Sequence, residues 1–304
     1  MAEKAKPCRR KQTEKIRNSW MSRNTNFDPV IVTKDQLNDL REMRWLRSCH
    51  SLFHTPGYDD ITRSDEIFLA VCNNWFDEVI QRHKESQRHY HTLYHLLEMF
   101  SYLDALLQFE FDIECMDDCD CPPKNSTNVR QITRATLEMA TFFHDAVYNP
   151  KSGTNEEDSA ELYKCFVADV IGKLTKNSDT LDKIENEEHS KVMDYILATK
   201  QHSVSPSADI YLKMFLDVDM SVLGKHCDSY DAYAGLIRQE YIHVDRELYC
   251  TKRAEVLTQF LAEGNIFNFE PMNEAFEVQA RNNIEREIAM LHQGKIPREP
   301  AGVV

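Results

Sequence analysis

Apolar residues recur at three- and four-residue intervals along most of the chain, with few turn signals between the runs, and this spacing predicts helices. Thr33 to Gln36 is a capping-box pattern, followed by Leu37, Leu40, Met43 and Leu46, and the predicted helix stops before Thr55-Pro56-Gly57. A second helix starts at Ser64 and carries Ile67, Phe68, Val71, Trp75, Phe76 and Val79 on one face. A third covers about 90–109, with Leu93, Leu96, Leu97, Phe100, Leu103 and Leu107 inward. Residues 110–128 break the pattern: they are acidic, rich in cysteine and proline, and read as a surface insertion. A fourth helix covers about 130–143, and a capping box at Thr154 to Glu157 opens the next, which runs through Val170. Further helices are predicted near 184–201, 207–223, 229–246, 251–263 and 273–292, with Gly224, Gly264 and Gly294 as stops.

These runs predict an all-α bundle of about nine to ten helices. Composition agrees, since 304 residues hold only 8 glycines and 10 prolines. One domain, 33–294, is expected between an N-terminal arm (1–32) and a tail (295–304), because the candidate site residues are spread over 91–219. Charge changes the picture. Residues 1–30 carry Lys4, Lys6, Arg9, Arg10, Lys11, Lys15, Arg17 and Arg23 against Glu3, Glu14 and Asp28, a net +5 in a chain of −14, which leaves −19 for the rest. A body so acidic repels a nucleic-acid backbone, so only the arm, expected to be flexible, offers the charge for such binding. Nine cysteines scattered among helices read as small buried apolar residues. With no signal-peptide core and no apolar run approaching the roughly 18 residues of a membrane span, the expectation is a cytoplasmic or nuclear protein.

Three groupings carry chemistry. Tyr90-His91-Thr92-Leu93-Tyr94-His95 sets two imidazoles four residues apart, on one helix face and within reach of a common centre. His144-Asp145 closes an apolar helix. Asp217-Val218-Asp219 interrupts an apolar run from Met214 to Leu223, where carboxylates need a cation or hydrogen bonds to offset desolvation. Arg238 is an available partner for Asp217. Imidazoles and carboxylates together suit Mn, Fe, Zn, Co or Ni, as one ion or two, with Mg admissible at a second site. His202, with Asp217, is the candidate for that second site. Arg88, Lys200 and Arg238, with Tyr90, are candidates for holding a phosphate group, and solvated helix charges or ion pairs are the alternative for the three cations. Asn155 and Glu156 fall at a helix start, where capping explains them. Cys115, Cys119 and Cys121 lack a fourth donor for a structural zinc. Neither a Gly-x-x-x-x-Gly-Lys-Ser/Thr loop nor Gly-x-Gly-x-x-Gly occurs.

The order His, then His-Asp, then a distant Asp on helices resembles the HD-domain superfamily of metal-dependent phosphohydrolases. A group of predicted HD-type phosphohydrolases is similar over about 35–293. The resemblance lies in Arg88-His89-Tyr90-His91 with His95, Phe143-His144-Asp145-Ala146-Val147-Tyr148, Asn155-Glu156, Leu197-Ala198-Thr199-Lys200 with His202, Asp217-Val218-Asp219 with Leu223-Gly224, and Ile237-Arg238 with Glu240-Tyr241. It implies an HD-domain-like bundle, metal ligands His95, His144, Asp145 and Asp219, and hydrolysis of a small phosphate ester or nucleotide by metal-activated water. Asp145 would bridge a second metal or orient the water. The Tyr-His-x-x-x-His piece is also similar to the cyclic-nucleotide phosphodiesterases, which implies His91 as general acid, or alternatively as a ligand, and His95 as ligand. That comparison favours Asp219 over Asp217. The phosphodiesterases' glycine-rich segment after His-Asp is absent, so their specificity is not implied. Two other classes fit the same residues: an HD-fold di-iron oxygenase, with His202 serving the second iron, and a catalytically silent, metal-stabilised binding protein.

Overall fold

The computed structural model describes residues 32–53, 66–114, 127–174, 186–262 and 264–299. The basic arm, the predicted helix start at Ser64, most of the 110–128 segment and residues 300–304 lie outside them. Among the described residues there is no strand, and ten helices follow one another. α1 comprises Lys34–Asp39, a π-helical stretch Leu40–Leu46, and Arg47–Phe53. Then come α2 (Glu66–Arg82), α3 (Leu93–Glu114), α4 (Thr127–Phe143), α5 (Asn155–Leu174), α6 (Glu187–Ala198), α7 (Ile210–Asp219) with a 3-10 extension Met220–Gly224, α8 (Cys227–Glu240), α9 (Arg246–Ala262) and α10 (Glu270–Leu291). The all-α expectation holds. The third helix outruns its predicted end, because α3 stays helical to Glu114.

The chain divides into two compact units. The first, residues 31–100 and 118–202, holds α1, α2, the start of α3, and α4 to α6. Thr33 opens α1 with the reciprocal capping box read from the sequence, its side chain taking the Gln36 amide while Gln36 takes the Thr33 amide. The π-helical stretch then changes the phase. Wider turns rotate Met43, expected inward, out to 61% exposure, and bring Trp45 fully into the core. There the indole packs on Phe76, Phe142, Phe143 and Phe166 and donates to the Cys72 carbonyl. α1 is fastened to α4 by buried Glu138, which accepts from Ser48 (2.6 Å), Arg47 (2.6 Å) and Arg44 (3.1 Å). The buried face of α2 runs Phe68, Val71, Cys72, Phe76, Val79 and Ile80, whereas Ile67 is exposed.

The second unit comprises residues 101–117 and 203–304 as far as they are described. Its core is α10 against the 3-10 turn after α7. Gly224 has no room for a Cβ, which would meet the Phe276 ring, and Asn283 donates to the Leu223 and Lys225 carbonyls (2.9 and 2.8 Å). Crowding thus requires glycine at 224, while Gly264 and Gly294 end their elements with the positive φ (90° and 67°) that glycine tolerates. α9 starts five residues ahead of its predicted 251 because Asp245 accepts the Glu247 and Leu248 amides. No helix among the described residues is long and apolar enough to cross a membrane.

Candidate metal centre

The first unit brings three of the predicted site residues together. α3 begins at Leu93 because Thr92 caps it, its hydroxyl accepting the Tyr94 amide. His95 is therefore in the helix's first turn, and His91 lies in the turn before it, not on the helix face as the spacing predicts. The two rings still neighbour each other, with centroids 6.0 Å apart. At the other side, α4 ends at Phe143, and His144 is kept on its last turn by an amide bond to the Ala140 carbonyl (2.9 Å). His144 Nδ1 sits 2.9 Å from the Thr141 carbonyl, so that nitrogen carries a proton and Nε2 is the one turned toward the other donors. This Nε2 lies 3.3 Å from His95 Nε2 and 3.1 Å from Asp145 Oδ2, and the three donor atoms are all within 4.8 Å of one another.

Such a group calls for positive charge at its middle. A bare imidazole nitrogen facing a carboxylate oxygen repels it unless a proton or a cation intervenes. The separations suit a cation, since two ligands about 2.0–2.2 Å from one ion lie about 2.8–3.6 Å apart at octahedral to tetrahedral angles. Both histidines are buried, while Asp145 keeps 19% of its side chain exposed, which leaves an approach from solvent.

The loop bearing Asp145 is pinned from both ends. Ser159 accepts the Val147 amide (3.0 Å), and Asn155 grips Asn149 through both its amide and carbonyl (2.9 and 3.0 Å). This accounts for Asn155 structurally. The predicted Thr154–Glu157 box does not form: Thr154 gives its hydroxyl to Asp158, and Glu157 instead takes Lys200.

Arg88 corrects an expectation. Its side chain is fully buried and donates to the carbonyls of His91 (3.2 Å), Asp145 (2.7 Å) and Ala146 (3.2 Å) and to Glu85 (3.2 Å). Four of its five N–H groups are used, so it braces the two halves of the centre and has no fork left for phosphate. Lys200 is likewise committed, to Glu157 (2.5 Å) and the Gly153 carbonyl (2.7 Å), with Glu156 4.0 Å away. His202 follows α6 in a left-handed conformation (φ 52°), its amide on the Ala198 carbonyl, and is not part of the three-donor group. Tyr90 is buried, its ring 5.0 Å from those of both His91 and His95. His91 itself is half-buried, with its ring centroid 4.3 Å from that of Tyr148 and tilted 33° to it.

One residue escaped the sequence reading. His83 follows α2 and is buried; its Nδ1–H donates to the Val79 carbonyl (3.0 Å), and its Nε2 has no hydrogen-bond partner among the described residues. Burial first, and then the Arg88 guanidinium, pushes its pKa down to about 3. The ring is neutral.

Asp217, Asp219 and Arg238 belong to the second unit. Asp219 ends α7 and is half-buried within the otherwise buried stretch 214–224. Asp217 is no spare ligand, because its two oxygens accept the Asn268 (2.9 Å) and Phe269 (2.6 Å) amides ahead of α10. Nor does it pair with Arg238, which donates to the Tyr241 and Val244 carbonyls (2.9 and 3.0 Å), lies over the Tyr249 ring and reaches Glu299. Backbone groups at the ends of neighbouring segments claim both side chains. Burial, outweighing the two amides and reinforced by Glu277, raises the Asp217 pKa to about 8. The folded state thus holds a proton that an unfolded aspartate releases near pH 4, and stability falls as pH rises from about 4 to about 8. Wild-type Tm should drop relative to Asp217→Asn across that range, on the order of 5 °C by calorimetry; parallel curves would exclude the linkage.

No family model, no curated protein and no solved structure matches the chain.

Proposed function

We propose that the chain is a metal-dependent phosphohydrolase acting on a small phosphate ester or nucleotide, with its cation held by His95, His144 and Asp145. The observation that supports this is the convergence of two imidazole nitrogens and a carboxylate oxygen around His144 Nε2, whose proton is locked on the far side of the ring. A bound transition-metal cation supplies an acidified water and a charge to neutralise a phosphate oxygen. The chain's own residues do the rest. His144 and His95 present ring nitrogens, and Asp145 faces them with one oxygen while its side chain stays partly open to solvent. His91, half-buried with its ring 6.0 Å from that of His95 and beside Tyr90 and Tyr148, would give a proton to the departing oxygen.

The net charge of −14 favours a small substrate over a polyanion. Elemental analysis joined to a phosphate-release screen over nucleotides and small phosphoesters tests the reading. The wild type should carry a transition metal and release phosphate. His91→Ala should keep the metal and lose about 10²- to 10⁴-fold in rate. Metal-loaded protein that releases no phosphate but consumes oxygen would point to the oxygenase instead, and His91→Ala with unchanged turnover would remove its assigned role.

A further inference from the structure

His83 extends the buried stripe of α2 by one step: Phe68, Cys72, Phe76 and Val79 precede it at spacings of four and three. It packs like a core residue but is wired like a ligand. Its ring N–H goes to the Val79 carbonyl, which already accepts the His83 backbone amide (3.3 Å), so the bond serves the ring N–H and fixes the ring's orientation rather than satisfying an orphaned carbonyl. His144 has the same arrangement, Nδ1 on a carbonyl of its own helix and Nε2 turned away. In His144 Nε2 faces His95 and Asp145; in His83 Nε2 has no hydrogen-bond partner among the described residues, although the ring lies in the electrostatic reach of Arg88, Asp145 and His144. A buried acceptor without a partner is costly and uncommon, and most such cases have a function or a water behind them.

Resting on the metal-centre reading, we propose that His83 Nε2 accepts a hydrogen bond from a water of the centre, making His83 a positioning residue for that water. It is not a fourth ligand to the same ion, being outside the group of donors that lie within 4.8 Å of one another. A second cation is a poor occupant as well, because Arg88 already places a positive charge beside the ring. A neutral imidazole accepts from water without competing for the cation, and partners of this kind orient the first coordination sphere.

The test uses the full chain as wild type, His83→Leu, His83→Gln and His144→Ala. Each is stripped of metal, titrated with Zn²⁺ against a chelator, and melted in the metal-free state. His83→Leu should bind Zn²⁺ about 10- to 100-fold more weakly. Its metal-free Tm should equal or exceed the wild type's by about 2–4 °C, since an orphan polar atom is removed. His83→Gln, which keeps an acceptor, should recover most of the affinity. Wild-type affinity in His83→Leu alongside loss in His144→Ala overturns the role of His83 and leaves the centre standing. Wild-type affinity in His144→Ala overturns the centre and the role with it. A lowered metal-free Tm in His83→Leu, or His83→Gln no better than His83→Leu, assigns the residue to the core and also overturns the role.

Discussion

His144→Ala should reduce metal affinity more than about 100-fold, beyond what the loss of a supporting partner costs, while the chain still folds. His144 Nε2 is the vertex shared by both short separations, 3.3 Å to His95 and 3.1 Å to Asp145, so its removal leaves two donors and no common contact point. The fold side is milder. The ring is buried and its truncation leaves a cavity, for which about 2–4 kcal/mol is typical. That lowers Tm by several degrees but leaves a native population in a domain of ordinary stability, about 5–15 kcal/mol. Chelator competition and metal-free melting separate the two effects. Full metal affinity in this variant would end the case for a centre built on His95, His144 and Asp145.

The elements and the core of this site were legible because their chemistry is spelled locally. Thr33 and Gln36 write their own capping box, and His-Asp at the end of an apolar helix needs only the next turn's carbonyls to aim it. His83 also left a trace. It falls on the apolar stripe of α2, where a polar residue in phase with the core is the anomaly to notice, but the chemical motifs began seven residues later and drew the reading there. What could not be read was anything set by a distant backbone. Arg88, Lys200 and Arg238 look alike in sequence as cations near candidate ligands, yet each is consumed by carbonyls or carboxylates that folding alone brings to it. Phase was the other blind spot. A helical period predicts Met43 inward, and a single π-helical stretch is enough to hand its place to Trp45.

Arg88→Met should be the most destabilising single change near the site and should weaken metal binding as well. The aliphatic stem is retained, so the loss is that of the guanidinium's hydrogen bonds to three carbonyls, those of His91, Asp145 and Ala146. Each buried acceptor left bare costs about 1–3 kcal/mol. The sum is not additive, and a net of about 3–5 kcal/mol is the scale for breaking a buried charged network. Glu85, already 38% exposed, can turn to water and adds little. The same three carbonyls belong to the turn that carries His91 and to the loop that carries Asp145, so the brace also fixes the distance between the two halves of the centre. Arg88→Lys keeps the charge but not the planar fork, reaches at most part of this set, and should recover less than half of the lost stability. Thermal melting should show Arg88→Met more than about 10 °C below wild type, with Zn²⁺ affinity reduced even at temperatures where the variant is folded. A variant that melts low but binds Zn²⁺ normally would confine Arg88 to stability. One that melts like the wild type would show that loop 144–147 is held by Ser159 and Asn155 alone.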